Sequence, residues 1–227
     1  MTIVFGLLCI LALAVLPTLW VQATFARHRG DRADFPGTGG EFARHILDAM
    51  GLKSVRVEET AIGDHYDPDL KTVRLRPQHF HGRSLTAVVV AAHEVGHAMQ
   101  DATNSPLLRN RTRLAKVAVI VERVGSIAML AAPLAAAVFR HPAGILLELV
   151  AGFAILSLGV VLHLTTLPVE FDASFNRALP VLRHGRYIPD DDLPAARSIL
   201  RAAAFTYVAA ALMSLINILR WLRILRL

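Results

Sequence analysis

The residues best suited to chemistry in this sequence are His93, Glu94 and His97, which form an H-E-x-x-H pattern. Residues four apart lie on one face of an α-helix, so the two histidines can present two imidazole nitrogens to one Zn²⁺. Glu94 follows the first histidine and can take a proton from the attacking water. The flanking Ala and Val residues indicate that the motif packs against a core, where polar side chains need partners. The alternative is a surface helix with two solvated histidines.

A catalytic zinc site needs a third protein ligand in addition to a position for water. The segment P-V-E-F-D-A-S, which ends at Ser174, supplies the candidates. Glu170 is expected at the membrane surface, close to the motif helix. Asp172 is either a rival ligand or the carboxylate that orients a histidine, and Ser174 can support Glu170 by hydrogen bonding. The alternative for this segment is an acidic first turn of a helix, which the helix dipole favours.

Other polar residues are weaker candidates for the site. His163 is a possible ligand, although a lone histidine near the end of a span is more often an interfacial residue. His65 and Tyr66, in D-H-Y-D, can donate a hydrogen bond to a tetrahedral intermediate. The alternative for this stretch is a turn with solvated side chains. Because no second histidine motif follows His97, a distant Glu is expected as the third ligand.

The composition is that of a membrane protein, since 54% of the 227 residues are hydrophobic and four long segments are almost free of charge. About 20 apolar residues are enough to cross a bilayer. The predicted fold is mainly α and polytopic, with about four transmembrane helices and a small α+β zincin-like unit that carries the H-E-x-x-H helix. The predicted domains are transmembrane helix 1 (1–25), the α+β catalytic region (26–116), transmembrane helices 2 and 3 (117–166), a loop or helix with the third zinc ligand (167–201), and transmembrane helix 4 with a basic C-terminus (202–227).

Within the polar region, the apolar spacing predicts a helix over 41–50 and half-buried strands over 55–58 and 72–76. The stretch between these strands is rich in turn residues. The motif helix is predicted from near Ser84 to Asp101. Because strand 72–76 comes just before that helix, it is a candidate for holding an extended peptide by edge pairing.

The net charge of +6 does not indicate nucleic-acid binding, because the basic residues are interspersed with acids and no aromatic platform accompanies them. Anionic lipid headgroups are the simpler partner for this charge. Most Lys and Arg residues fall on the motif side of the four predicted spans, which predicts that this side is cytoplasmic in a bacterial plasma membrane. The one cysteine, Cys9, excludes an intrachain disulfide and a thiolate zinc site.

With these residues identified, the sequence resembles the YugP-type membrane zinc metallopeptidases, a neutral zinc peptidase family of bacteria. The resemblance covers nearly the whole chain and rests on four segments: 64–68, 91–100, 166–174 and 202–209. It implies a polytopic membrane protein that uses zinc to hydrolyse peptide bonds. It also implies that His93 and His97 bind the metal, that Glu94 is the base and that Glu170 is the third ligand.

The sequence therefore predicts a membrane-embedded zinc metalloendopeptidase whose substrate is a protein or peptide, unfolded or membrane-associated. One alternative is a non-catalytic membrane scaffold that binds metal for stability. A fourth protein ligand, such as Asp172 or His65, would mark that alternative. A second alternative is a zinc hydrolase that acts on a lipid or a small amide, because the metal chemistry would be the same.

Overall fold

The computed structural model describes residues 2–139 and 143–205 of the chain. Its helices are α1 (Thr2–Arg27), α2 (Gly39–Ala49), α3 (Pro77–Phe80), α4 (Leu85–Ala102), α5 (Pro106–Phe139), α6 (Ala143–Phe171) and α7 (Leu179–His184). Its strands are β1 (Arg56–Glu59), β2 (His65–Asp67) and β3 (Thr72–Leu75). A π-helix (Asp172–Ala178) joins α6 to α7, a 3₁₀ turn (Asp190–Asp192) follows, and residues 193–205 are helical. The described fold is mostly helical with a small sheet, which confirms that part of the predicted fold class.

The three strands form one sheet in the order β1-β3-β2, with β3 parallel to β1 and antiparallel to β2. Since β3 is the central strand, both of its edges are already paired. The hypothesis that this strand holds a peptide by edge pairing is therefore wrong. The sequence also missed β2, whose residues were predicted as part of a turn. They form a strand because they pair with β3 and because the Tyr66 ring is buried.

The helix α2 confirms the predicted helix over 41–50, although it begins at Gly39. Its start is fixed by a capping box. The Thr38 side chain accepts a hydrogen bond from the Glu41 N–H at 3.2 Å, and the Glu41 carboxylate accepts one from the Thr38 N–H at 2.8 Å. These bonds satisfy two backbone donors that a helix otherwise leaves free at its start. The inner face of α2 then packs on α4 through buried apolar side chains.

The motif helix α4 is enclosed by other elements of its own compact unit and closely matches its predicted range. It begins where the Ser84 hydroxyl accepts a hydrogen bond from the Ala87 N–H at 3.1 Å. Every residue from Leu85 to Ala98 is buried, because α2, the sheet, α3 and the π-helix pack around it. A helix that is enclosed on all sides needs apolar residues all round, which explains the unbroken Ala and Val run before His93.

The described chain divides into two compact units. One unit contains Leu16–Arg109 together with the described residues from Leu167 onward, and it holds every residue of the predicted site. The other contains the start of α1, α5 from Asn110 onward, and α6 up to Thr166.

Among the residues that the structure describes, one helical stretch, Gly152–His184, is long and apolar enough to cross a membrane. The prediction of four spans is therefore not confirmed, and the multi-pass arrangement stays a prediction. Most of the predicted fourth span lies outside the described residues. The third predicted span, 145–166, overlaps this stretch, and no break separates it from the segment that carries Glu170. Helix α6 continues through Pro168 and passes directly into the π-helix.

Candidate metal centre

Two imidazoles and one carboxylate meet between α4 and the end of α6. His93 and His97 lie one turn apart on α4, and their Nε2 atoms are 3.0 Å and 3.3 Å from the same Oε2 atom of Glu170. One ligand atom from each of the three residues lies within 4.8 Å of the other two. All three side chains are buried. The structure thus brings together the three residues that the sequence predicted as metal ligands.

Glu170 reaches the histidines because the π-helix packs against α4 at Gly96. A Cβ atom at this position would lie 2.6 Å from the backbone carbonyl oxygen of Ala173. The motif therefore contains glycine here because the two backbones approach closely. The wide turns of a π-helix are often found at functional sites, and this one begins two residues after Glu170. The close approach brings the carboxylate to the imidazoles.

The outward-facing nitrogen of each histidine is held by a second side chain. Nδ1 of His93 lies 3.0 Å from the Ser174 hydroxyl, and Nδ1 of His97 lies 2.9 Å from Oε1 of Gln100. An amide oxygen can only accept, so Nδ1 of His97 carries the proton and Nε2 faces Glu170. Partners of this kind orient metal-binding histidines and fix their tautomer.

The geometry fits a zinc ion bound by these three residues. Zinc bonds to nitrogen and oxygen are about 2.1 Å long, so ligand atoms at two corners of a tetrahedron lie about 3.4 Å apart. The observed separations between Glu170 and the two imidazoles are 3.0 Å and 3.3 Å. Two histidines and one glutamate are also a ligand set of catalytic zinc sites that keep one position open for water. Zinc is therefore the metal that both the donors and their spacing favour.

The electrostatics of the site favour a cation between the imidazoles and the carboxylate. Burial alone would lower the pKa of His97, because it penalises the charged ring. The Glu170 carboxylate overrides this effect and raises the pKa of His97 to about 9. In the metal-free protein the charged ring therefore carries a second proton, on Nε2, which a metal ion bound there would displace.

Glu94 lies beside the three residues without joining them. It is 5% exposed, and no hydrogen bond to its carboxylate comes from the part of the chain that the structure describes. Burial raises its pKa above the ordinary value for a glutamate, while the two imidazoles act in the opposite direction. A buried carboxylate with free lone pairs and a raised pKa is suited to accept and return a proton.

The structure gives the predicted auxiliary residues different surroundings from those expected. Ser174 contacts His93 and not Glu170. Its hydroxyl reaches Nδ1 of the His93 ring, whereas the Glu170 carboxylate reaches Nε2 of the same ring. Asp172 does not join the three ligand candidates; its contact with His97 runs through Gln100, whose Nε2 donates to it at 2.8 Å. Among the described residues, the Asp172 carboxylate therefore reaches His97 through Gln100 and touches neither histidine directly.

The D-H-Y-D stretch is engaged elsewhere. Nδ1 of His65 lies 2.7 Å from the Gly63 carbonyl oxygen, and the Tyr66 hydroxyl donates to Asp101 at 2.6 Å. Neither side chain has a hydrogen bond to the three ligand candidates among the described residues. The predicted contribution of His65 to the reaction stays a prediction.

Sequence reasoning missed Gln100 as part of the site. The available signal was its position three residues after His97, on the same face of the predicted motif helix. A fully buried glutamine at such a position must have hydrogen-bond partners, and a histidine one turn away is the nearest candidate.

Comparisons with known proteins agree with this geometry. A family described as "Putative neutral zinc metallopeptidase" matches residues 2–226. The chain is 35% identical to the "Putative membrane protease YugP" of Bacillus subtilis (strain 168), over 99% of this chain and 96% of the relative. No solved structure matches the chain significantly. With the match spanning almost every residue, the chain belongs to the neutral zinc metallopeptidase family.

Proposed function

We propose that this protein is a membrane-embedded zinc metalloendopeptidase. In this proposal His93, His97 and Glu170 bind the zinc ion, and Glu94 is the general base. The observation that carries the proposal is the convergence of two imidazole nitrogens and one carboxylate beside a buried glutamate that has no hydrogen-bond partner within the described residues. The family to which the chain belongs supports the same chemistry.

A bound zinc ion would polarise the scissile carbonyl and lower the pKa of the attacking water. Glu94 takes the proton from that water and later gives it to the leaving amine. Its raised pKa suits both steps, because the carboxylate becomes a stronger base and its protonated form stays available longer. Ser174 and Gln100 hold the imidazoles so that their Nε2 atoms stay directed at the metal.

A catalytic zinc site is a better proposal than a structural one. Structural zinc sites are closed by four protein ligands. The group of candidate ligands contains three residues of the described chain, and Asp172 and His65 are both bonded to other groups. The fourth position therefore remains available to water and substrate.

The proposed substrate is a protein or peptide that is unfolded or membrane-associated. Two observations support a membrane location: the relative is named a membrane protease, and Gly152–His184 is long and apolar enough to span a bilayer. We further propose a multi-pass protein of the bacterial plasma membrane whose catalytic side is cytoplasmic. The basic residues on the motif side support this orientation by the positive-inside rule.

Glu94→Gln in the full-length, detergent-solubilised protein tests the proposed function. The variant is expected to keep one zinc per chain, because Glu94 is not a ligand. It is expected to lose at least about 100-fold in the rate of casein cleavage, since general base catalysis contributes at least that factor. The matched control is Glu59→Gln, which makes the same change at an exposed strand residue and should keep full activity. An active Glu94→Gln variant would contradict the mechanism, and wild-type protein without bound zinc would contradict the metal site.

A further inference from the structure

The side-chain amide of Gln100 has one possible orientation in this structure. Its NH₂ group donates to the Val169 carbonyl oxygen at 2.8 Å and to the Asp172 carboxylate at 2.8 Å. Both partners are acceptors only, so the nitrogen must face them. The amide oxygen is thereby left facing Nδ1 of His97 at 2.9 Å. Gln100 is fully buried, so no water competes for these bonds.

Asp172 is itself held in place on its outer side. Asn176 donates to one of its oxygens at 3.0 Å, and Arg177 donates through Nε to the other at 2.9 Å. The Arg177 cation keeps Asp172 an acceptor. A chain of bonds therefore runs from Arg177 through Asp172 and Gln100 to His97, with the direction of donation defined at each step.

The same amide also joins the two helices that carry the candidate ligands. Its donors reach α6 at Val169, the residue before Glu170, and the π-helix at Asp172, two residues after it. Glu170 thus lies between two attachment points on one side chain of α4. On the other ligand, the Ser174 hydroxyl lies 3.0 Å from Nδ1 of His93 and donates to the Leu200 carbonyl oxygen over a long 3.5 Å, so it holds the ring less firmly than Gln100 holds His97.

We infer that Gln100 is the positioning residue of the metal centre. Through one amide it fixes the His97 tautomer that leaves Nε2 free for the metal, and it holds the Glu170 segment against α4. The inference rests on the proposed zinc site, but it concerns metal affinity and does not depend on which bond the enzyme cleaves.

Four variants of the full-length protein in detergent test the inference: Gln100→Met, Gln100→Glu, Asp172→Asn and the double variant Gln100→Glu/Asp172→Asn. Gln100→Met keeps the volume and removes all three hydrogen bonds. Gln100→Glu keeps an acceptor for His97 but sets a carboxylate against the Val169 carbonyl and Asp172. In the double variant, the new amide at 172 can donate to the new carboxylate. Gln22→Met, at an exposed helical position, is the matched control.

The measurements are zinc affinity by competition with a chromophoric chelator and the visible absorption spectrum of the Co²⁺-loaded protein. Loss of a partner that orients a metal-binding histidine costs about 10- to 100-fold in metal affinity. We expect that loss in Gln100→Met and Gln100→Glu, with a changed Co²⁺ spectrum and an unchanged helical circular dichroism of the metal-free protein. The control should match wild type. The double variant should bind zinc several-fold more tightly than Gln100→Glu, because one donor is restored.

Wild-type zinc affinity and an unchanged Co²⁺ spectrum in Gln100→Met would overturn the inference. So would strictly additive effects of Gln100→Glu and Asp172→Asn, since additivity means that the two side chains are not coupled. Should Gln100→Met fail to fold, this comparison of single and double variants decides. A wild-type protein that binds zinc but cleaves no peptide would contradict the proposed function and leave the role of Gln100 standing, whereas one that binds no zinc would overturn both.

Discussion

At the scale of single residues, Asp64 is a partly buried acid that the proposed chemistry does not use. Its carboxylate accepts hydrogen bonds from the Arg76 backbone N–H at 2.8 Å and from Arg76 Nε at 2.9 Å, and it lies 2.9 Å from Nδ1 of His79. Burial works to raise its pKa. The interactions with His79 and Arg76 outweigh burial and hold the pKa of Asp64 below its usual value.

Asp64→Asn should therefore destabilise the protein at neutral pH and make its melting temperature fall less as the pH is lowered. A carboxyl group with a lowered pKa in the folded state contributes stability above its unfolded pKa of about 3.9, and that contribution is lost as the pH falls through the folded value. Hydrogen bonds to a charged group contribute about 1.5–3 kcal/mol. The test is the melting temperature of metal-free protein between about pH 3 and about pH 7. Asp64→Asn should melt lower at neutral pH and lose less than wild type in acid, whereas exposed Asp191→Asn should follow wild type.

The residues that the sequence identified are those whose chemistry is local or belongs to a motif. His93, Glu94 and His97 follow from helical spacing alone, and Glu170 follows from the need for a third ligand and from the family resemblance. The hydrogen-bond partners of these ligand candidates could not be predicted in the same way. Whether Ser174 would face Glu170 or His93, and whether Asp172 would touch a histidine directly, depends on how the π-helix packs on α4.

At the scale of secondary-structure elements, the contact between Gly96 and Ala173 determines how closely the π-helix approaches α4. Gly96→Ala would place a methyl group 2.6 Å from the backbone carbonyl oxygen of Ala173. A backbone group cannot rotate away, so the two helices must separate, and Glu170 must move with them. Overpacking of this kind typically costs about 1–3 kcal/mol. We expect Gly96→Ala to lower the melting temperature and to weaken zinc binding.

Gly30→Ala is the matched control for Gly96→Ala, because no atom lies within 4 Å of the added methyl group. It should leave both the melting temperature and the zinc affinity at the wild-type values. Calorimetric unfolding of metal-free protein and chelator competition measure the two quantities separately. A Gly96→Ala variant with wild-type zinc affinity would show that the helix approach does not control the position of Glu170.

Elements with a strong local signal were predictable, and those fixed by packing were not. The apolar spacing located α2 to within about two residues, and the apolar run that leads into the H-E-x-x-H pattern located α4 to within about one. The strand β2 has three residues and gains its structure from pairing with β3. Helix α6 continues through Pro168, where a proline removes a backbone donor. The π-helix that follows has wider turns, and Gln100 holds this part of the chain against α4. A sequence pattern does not reveal this packing.

At the scale of the whole molecule, the orientation in the membrane decides which proteins can be substrates. The unit that contains the candidate metal centre also carries Ile62, which lies between β1 and β2 and is 92% exposed. Since Cys9 is the one cysteine of the chain, replacing it by serine leaves a background in which a single new thiol reports its own side of the membrane.

Ile62→Cys in that Cys9→Ser background should react with a membrane-impermeant maleimide in inverted vesicles and not in right-side-out vesicles. The reason is that the basic residues of the motif side favour the cytoplasm. Pro142→Cys, in the connection predicted between the second and third spans, should show the reverse pattern. Labelling of Ile62→Cys from outside would move the proposed peptidase to the outer face. If both positions react from the same side, the arrangement of four spans is wrong, because an odd number of crossings must separate them.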